Sequence, residues 1–162
     1  MANLNYQIRN CRKCRLWQGA NCAVPGEGKQ DAAVMLVGQN PGSEEDKVCK
    51  PFVGKAGKFL SQVLAANGLD REALFVTNIV KHKTPSNRIP LPDEIAACVP
   101  YLIAQVDIIK PKTIVLMGKV AWQTPRKESV EYIETVHPSA AMRFPKMRKK
   151  FLEDFAKLAQ RL

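Results

Sequence analysis

Three short runs rich in β-branched residues, Ala33 to Val37, Leu74 to Val80 and Thr113 to Met117, are almost continuously apolar. Strands read this way when both faces of a sheet are covered. A fourth run, Val130 to Val136, alternates with charge like a half-exposed edge. Helical patterns lie between them. Lys55 to Asn67 places Phe59, Leu60, Val63 and Leu64 on one stripe with Gly68 as C-cap, and Pro92 to Ile109 follows an acidic first turn. Lys146 to Leu162 is amphipathic and basic, with Phe151, Phe155 and Leu158 inward. The alternation predicts an α/β fold, a three-layer α/β/α sandwich with a central, mostly parallel four-stranded sheet. The first thirty residues and Lys81 to Pro92 read as irregular. A proline-bearing loop beside a strand end is a usual place for function.

A length of 162 residues fits one domain spanning residues 1–162, large enough for a core without external staples. The net charge of +10 exceeds what solubility needs and suits a polyanion, with nucleic acid favoured over an acidic membrane. No apolar run approaches the roughly 18 residues of a membrane span, and the N-terminus lacks a signal-peptide core. The expected location is therefore intracellular, in the cytoplasm or nucleoid of a prokaryote. Five cysteines in such a chain point to thiols or metal ligands more than to a disulfide framework.

Two segments carry chemistry. Val34 to Asp46, VMLVGQNPGSEED, is a strand that breaks on glycines and delivers backbone amides and a side-chain amide to the carboxyl end of the sheet. Open α/β proteins bind ligands there. His137-Pro138-Ser139 ends the last strand-like run and can reach the same mouth. Separately, Cys11 and Cys14 form a C-x2-C hook, Cys98 lies on a later helix, and a fourth metal ligand would come from Cys22, Cys49 or His82. No G-x-G-x-x-G or G-x-x-x-x-G-K-[ST] is present, so nothing in the sequence supports a phosphate cradle.

Taken in order, these pieces resemble the family 4 uracil-DNA glycosylases, the iron–sulfur branch of that superfamily. The resemblance runs through Cys11-x-x-Cys14-x-Leu16, Pro25 to Gly28, Gly38 to Asp46 and Pro51 to Gly57. It continues through Thr77 to Lys81, Pro85 to Arg88, Leu91 to Glu94 with Cys98, and His137 to Ser139. It implies excision of uracil from single- or double-stranded DNA by a monomer carrying an iron–sulfur cluster, 4Fe-4S, with zinc as the chemical competitor. Cys11, Cys14 and Cys98 match three of the family's four cysteine ligands, and the remaining position falls on His82. That departure looks like a Cys3His arrangement in the related family-X enzymes. The basic insert whose histidine bonds covalently to substrate in those enzymes has no room in Lys83 to Pro92, so ordinary turnover is expected.

By the same resemblance His137 donates toward uracil O2, helped by backbone amides from Gly38 to Gly42. Asn78 reads the pyrimidine edge and Phe52 stacks on the flipped base. Gly-Gln-Asn-Pro-Gly at Gly38 to Gly42 departs from the family's Gly-Glu-Ala-Pro-Gly. Gln39 resembles family 1, whereas Asn-Pro-Gly resembles the mismatch-specific and single-strand-selective branches, which makes Asn40 the residue expected to position the attacking water, with Asn87 as runner-up. Gly42 stands where family 1 has a thymine-excluding tyrosine, so exclusion passes to Glu45 or is weaker, and a broader range of deaminated bases is compatible. Arg143 and Met142 fall where relatives insert a wedge, and Lys146 and Arg148 are placed to meet phosphates. A uracil- or DNA-binding module without catalysis is the competing reading.

Overall fold

The computed structural model describes residues 1–162. Its strands are β1 (Glu27–Gly28), β2 (Val34–Gly38), β3 (Phe75–Asn78), β4 (Thr113–Met117) and β5 (Glu131–Thr135). Its helices are α1 (Ala2–Arg9), α2 (Ser43–Val48), α3 (Lys55–Ala66), α4 (Pro92–Ile109), α5 (Pro138–Arg143) and α6 (Pro145–Gln160). The sheet runs β1-β3-β2-β4-β5, parallel throughout except for β1, which pairs antiparallel with β3. β2 therefore lies at the centre, and the chain leaves it first toward β3 and later returns to the other side as β4. Such a reversal opens a crevice at the carboxyl ends of the strands.

Alternation along the strands distributes side chains to two cores. Met35, Val37, Ile114 and Leu116 face Ile95, Leu102, Val106 and Ile109 of α4. Val34, Leu36, Val115 and Met117 face Leu60 and Leu64 of α3 and Phe151, Phe155 and Leu158 of α6. The result is the expected three-layer sandwich. α3 ends as its sequence predicts: Gly68 takes φ +70°, and the Leu69 amide donates back to Leu64 at 2.9 Å.

Two differences from the sequence reading have physical causes. The sheet has five strands rather than four, because β1 is two residues long and carries no apolar run. Gly28 sits at φ +135°, where a Cβ would collide with the Leu74 backbone. The N-terminal thirty residues are not all irregular. α1 buries only Leu4 and Ile8 against Tyr101 and Ala23, too few positions to announce a helix.

Cys22 and Cys49, which the sequence offers as free thiols or metal ligands, instead form a disulfide across 27 residues. Asp46 brings them together: its carboxylate accepts the Asn21 amide at 3.0 Å and the Cys22 amide at 3.3 Å, docking that segment on α2. Closing a loop of this size restricts the unfolded chain by about 3 kcal/mol. Reducing the protein, or replacing both cysteines by serine, is expected to lower its unfolding free energy by about that amount. Denaturant midpoints measured with and without reductant check this, and coincident midpoints would refute it.

Candidate active site

The crevice holds a pocket of about 340 Å³ lined by Gln39, Asn40, Glu45, Phe52, Asn78, Asn87, His137 and Ser139, among others. Gln39 and Asn40 follow β2, Asn78 closes β3 and His137 follows β5, while Glu45 comes from α2, Phe52 from the link between α2 and α3, and Ser139 from the start of α5. The structure thus brings together the loop, the asparagine and the histidine that the sequence singled out. Pairing continues past the strand ends, since the Ile79 amide donates to the Gly38 carbonyl at 2.9 Å and the Val80 amide to Gln39 at 3.0 Å.

Phe52 forms an apolar wall. It is buried, holds φ +50°, and its ring lies 6.1 Å from that of His137. The left-handed backbone is unfavourable for phenylalanine and survives because its surroundings over-determine it. Arg71 donates to the Phe52 carbonyl at 2.9 Å, to the Pro51 carbonyl at 2.8 Å and to Ser61 Oγ at 2.8 Å. Glu45 secures the other side, accepting from the Val53 and Gly54 amides at 2.8 and 2.7 Å with one oxygen and from the Gly42 amide at 3.0 Å with the other. Gly38 is required at this point, because a Cβ there would meet the Phe52 ring and lie 2.6 Å from Asn78 Oδ1.

The polar wall is made of amides. Asn78 is buried, and its Oδ1 has no partner in the protein. A buried carbonyl oxygen left free is costly, which marks it as a ligand acceptor. Asn40 is fixed by its neighbours: Gln39 Nε2 donates to its Oδ1 at 3.0 Å, and its Nδ2 donates to the Pro41 carbonyl at 2.9 Å. Asn87 enters from the opposite side on a turn where Ser86 and Asn87 both have positive φ. That turn is anchored by Arg88, which grips the fully buried Glu94 at 2.7 and 2.8 Å. Glu94 also accepts from the Leu91 amide at 2.8 Å and from Arg15 at 3.0 Å, so its carboxyl is held down to about 2, chiefly by Arg88.

His137 has a defined tautomer. The Ser139 amide donates to Nδ1 at 3.1 Å, and Ser139 Oγ lies 2.7 Å from the same nitrogen. Nδ1 is therefore the acceptor, and the proton of the neutral ring sits on Nε2. Burial pushes the imidazole down to about 4, with Glu45 opposing the shift. A neutral Nε2–H donor and a free Asn78 Oδ1 acceptor thus serve one pocket.

The candidate metal-ligand residues Cys11, Cys14, His82 and Cys98 do not line this pocket. Cys98 is buried, Cys11 and Cys14 are half-buried, and the Cys14 and Cys98 thiols are pushed up mainly by burial, with neighbouring thiol charge adding to the effect. His82 is buried with Nδ1 unpartnered and shares a small cleft with Cys11 and Cys22.

On the rim, Met142 and Phe144 are exposed at the end of α5, with the Arg143 guanidinium 5.9 Å from the Phe144 ring. Lys146 is exposed at the start of α6. Arg148, exposed on the same surface, donates to the Ala141 and Met142 carbonyls at 3.1 and 2.9 Å and so braces α5. Sequence reasoning gave no role to Arg71, Glu94 or Ser139. Glu94 lies within a quoted motif, but only the fold shows its partners.

An aromatic wall, an unpartnered acceptor and a neutral ring donor in one pocket define an α/β protein with a site suited to a planar heterocycle. The model of the uracil DNA glycosylase superfamily matches residues 25–161, and the chain belongs to that superfamily. It is 40% identical to a type-4 uracil-DNA glycosylase of Sulfurisphaera tokodaii, an alignment covering 99% of this chain and 84% of that protein. Type-4 enzymes of Pyrobaculum aerophilum and Saccharolobus solfataricus are 37% and 38% identical, each over 96% of this chain and over 91% and 83% of their own lengths.

The His137 environment has a measurable consequence. The unfolded chain takes up a proton near pH 6.5 that the folded one accepts only near pH 4, so stability falls as pH drops through that window. NMR titration of the His137 ring is expected to show a midpoint near 4 with the Nε2–H tautomer above it. A midpoint near 6.5 would contradict the geometry.

Proposed function

We propose that this protein hydrolyses the N-glycosidic bond of deoxyuridine in DNA, initiating base-excision repair. The observation that carries this reading is the unpartnered Asn78 Oδ1 in the same pocket as a neutral His137 whose Nε2 bears the proton. A target base must leave the duplex to reach such a pocket. Phe52 supplies the face on which it stacks. Asn78 Oδ1 accepts uracil N3–H and its amide group donates to O4. Cytosine offers an unprotonated N3 and an amino group, and mismatches both contacts.

Bond cleavage leaves positive charge on the sugar and negative charge on the base. Nε2–H of the neutral His137 donates to uracil O2 as that charge develops, stabilising it by a hydrogen bond without giving up the proton. Water comes under the control of Asn40 and Asn87. These amides orient it through hydrogen bonds, because an amide is no general base at neutral pH; the water oxygen bonds to C1′ as the C1′–N1 bond breaks, and the proton it sheds neutralises the departing uracil anion. Asn40 suits the task by being fixed at both ends of its side chain. Met142, Arg143 and Phe144 form an apolar and cationic prong for the vacated duplex, and Lys146 adds phosphate contact.

Cys11, Cys14, Cys98 and His82 fit an iron–sulfur cluster. Three soft sulfur donors lie within electrostatic reach of one another, and the orphaned His82 Nδ1 supplies a fourth donor. As they stand, no three Cys, His, Asp or Glu side chains converge closely enough to hold a single metal ion. Bound there, the cluster would supply a rigid cross-link between the N-terminal hook, the loop after β3 and α4.

Uracil-containing single- and double-stranded oligonucleotides, incubated with the protein and treated with alkali, test the activity. Cleavage at uracil supports it, whereas binding without cleavage supports a recognition module. His137→Ala is expected to lower the single-turnover rate about a hundredfold or more. Asn78→Asp is expected to lose uracil excision or shift it toward cytosine, and a fully active variant would refute the reader assignment. Purified protein should be brown with stoichiometric iron and form no denaturation-resistant DNA adduct. A colourless protein with stoichiometric zinc would overturn the cluster.

A further inference from the structure

Lys81 is among the most deeply buried side chains of the protein, 1% exposed, and no carboxylate pairs with it. Protonated, its Nζ donates to three neutral acceptors, Thr77 Oγ1 at 2.7 Å, the Asn78 backbone carbonyl at 2.7 Å and Gln105 Oε1 at 2.8 Å; burial pushes its pKa down to about 7, with Cys98 opposing the shift. Thr77 Oγ1 and Gln105 Nε2 then both donate to the Pro25 carbonyl, each at 2.7 Å. A closed ring of hydrogen bonds results, joining β3, the residue that ends it, α4 and the N-terminal segment. The Val24 amide donates to the Lys81 carbonyl at 2.8 Å and pins the same residue from its other side.

Burying an ammonium against neutral partners costs several kcal/mol, and a well-packed aliphatic residue of similar volume usually serves stability as well or better. A lysine retained there has another use. Asn78 shows what that use is. Its side-chain Oδ1 has no partner in the protein, so its aim depends on the backbone that carries it and on the close approach of Gly38 and Phe52. That backbone is gripped by Lys81 at the Asn78 carbonyl and by the Gly38 and Gln39 carbonyls through the next two amides.

We propose that Lys81 is a positioning residue for base selection, clamping the peptide that carries Asn78 so that its free amide meets uracil in one orientation. The proposal rests on the reading of Asn78 as the base reader. Lysine is suited to the clamp because it delivers three protons from one atom, whereas a planar guanidinium fork cannot reach the same three acceptors from one point.

The test measures binding of free uracil by titration, and binding of duplex DNA carrying a stable abasic-site analogue, in folded protein checked by thermal melting. Lys81→Met is expected to weaken uracil binding about tenfold, the scale of one misaligned hydrogen bond, while abasic-DNA affinity stays within about twofold. In an Asn78→Ala background the same change should have no further effect on uracil, because the residue being aimed is gone. Thr77→Val, nearly isosteric, should weaken uracil binding in the same direction by a smaller factor, and it carries the test should Lys81→Met fail to fold.

Unchanged uracil binding in the folded variants overturns the proposal. So does a parallel loss of uracil and abasic-DNA affinity, or a full additive loss in the Asn78→Ala background, since either marks a general structural effect. Wild-type protein that binds uracil but excises none would overturn the proposed activity and leave this test standing. Wild-type protein that binds no uracil would overturn both.

Discussion

The pocket depends on one carboxylate. Glu45 gathers three backbone amides, two from the segment after Phe52 and one from Gly42, and so fastens two stretches of chain that have no regular structure in common. Charge-assisted hydrogen bonds of this kind are about twice as strong as neutral ones. With the Glu45 bracket in place, Phe52 can hold an unfavourable backbone and Gly38 can stay within reach of the Phe52 ring. Arg71 repeats the device from the opposite side with a cation on carbonyls. Both oxygens of Glu45 are thereby engaged with the protein, so its influence on the base runs through the shape of the wall it holds.

The charge of the molecule is divided by location. Inside the pocket the polar groups are amides, a hydroxyl, a neutral imidazole and one carboxylate, Glu45, whose oxygens are tied to backbone amides, while the cationic residues proposed to meet DNA stand on the rim and on α6. This separation suits a reaction whose leaving group becomes anionic. Fixed dipoles can respond to the new charge without a bound anion or a buried lysine in direct contact competing for it. It also lets the phosphate backbone be held by residues that need no accurate placement, since screened surface charges act over several ångströms.

Much of this was legible in the chain itself. The strand runs at Val34, Phe75 and Thr113 are buried on both faces and announce a parallel sheet, and β4 and α4 begin and end where their residue patterns place them. The loop after β2, Asn78 and His137 converge on one pocket, as strand ends in a parallel sheet must. What stayed hidden depends on long-range partners. The roles of Arg71 and Glu94 are defined by carbonyls, amides and side chains distant in sequence, and the Cys22–Cys49 bridge rests on Asp46 docking one segment against another. β1 and α1 carry too few buried side chains to produce a pattern.

The short antiparallel β1 has an effect beyond the sheet it completes. A parallel sheet otherwise ends in a strand with a row of open amides and carbonyls, a template on which another chain can add itself. Here β1 covers β3 for only two residues, and at Gly28 the backbone lies so close to Leu74 that no side chain fits. Lys29 then donates its amide to the Leu74 carbonyl, and the chain turns away. The molecule is thus built with a blunt margin on this side of the sheet, one that discourages copies of itself from zipping together edge to edge.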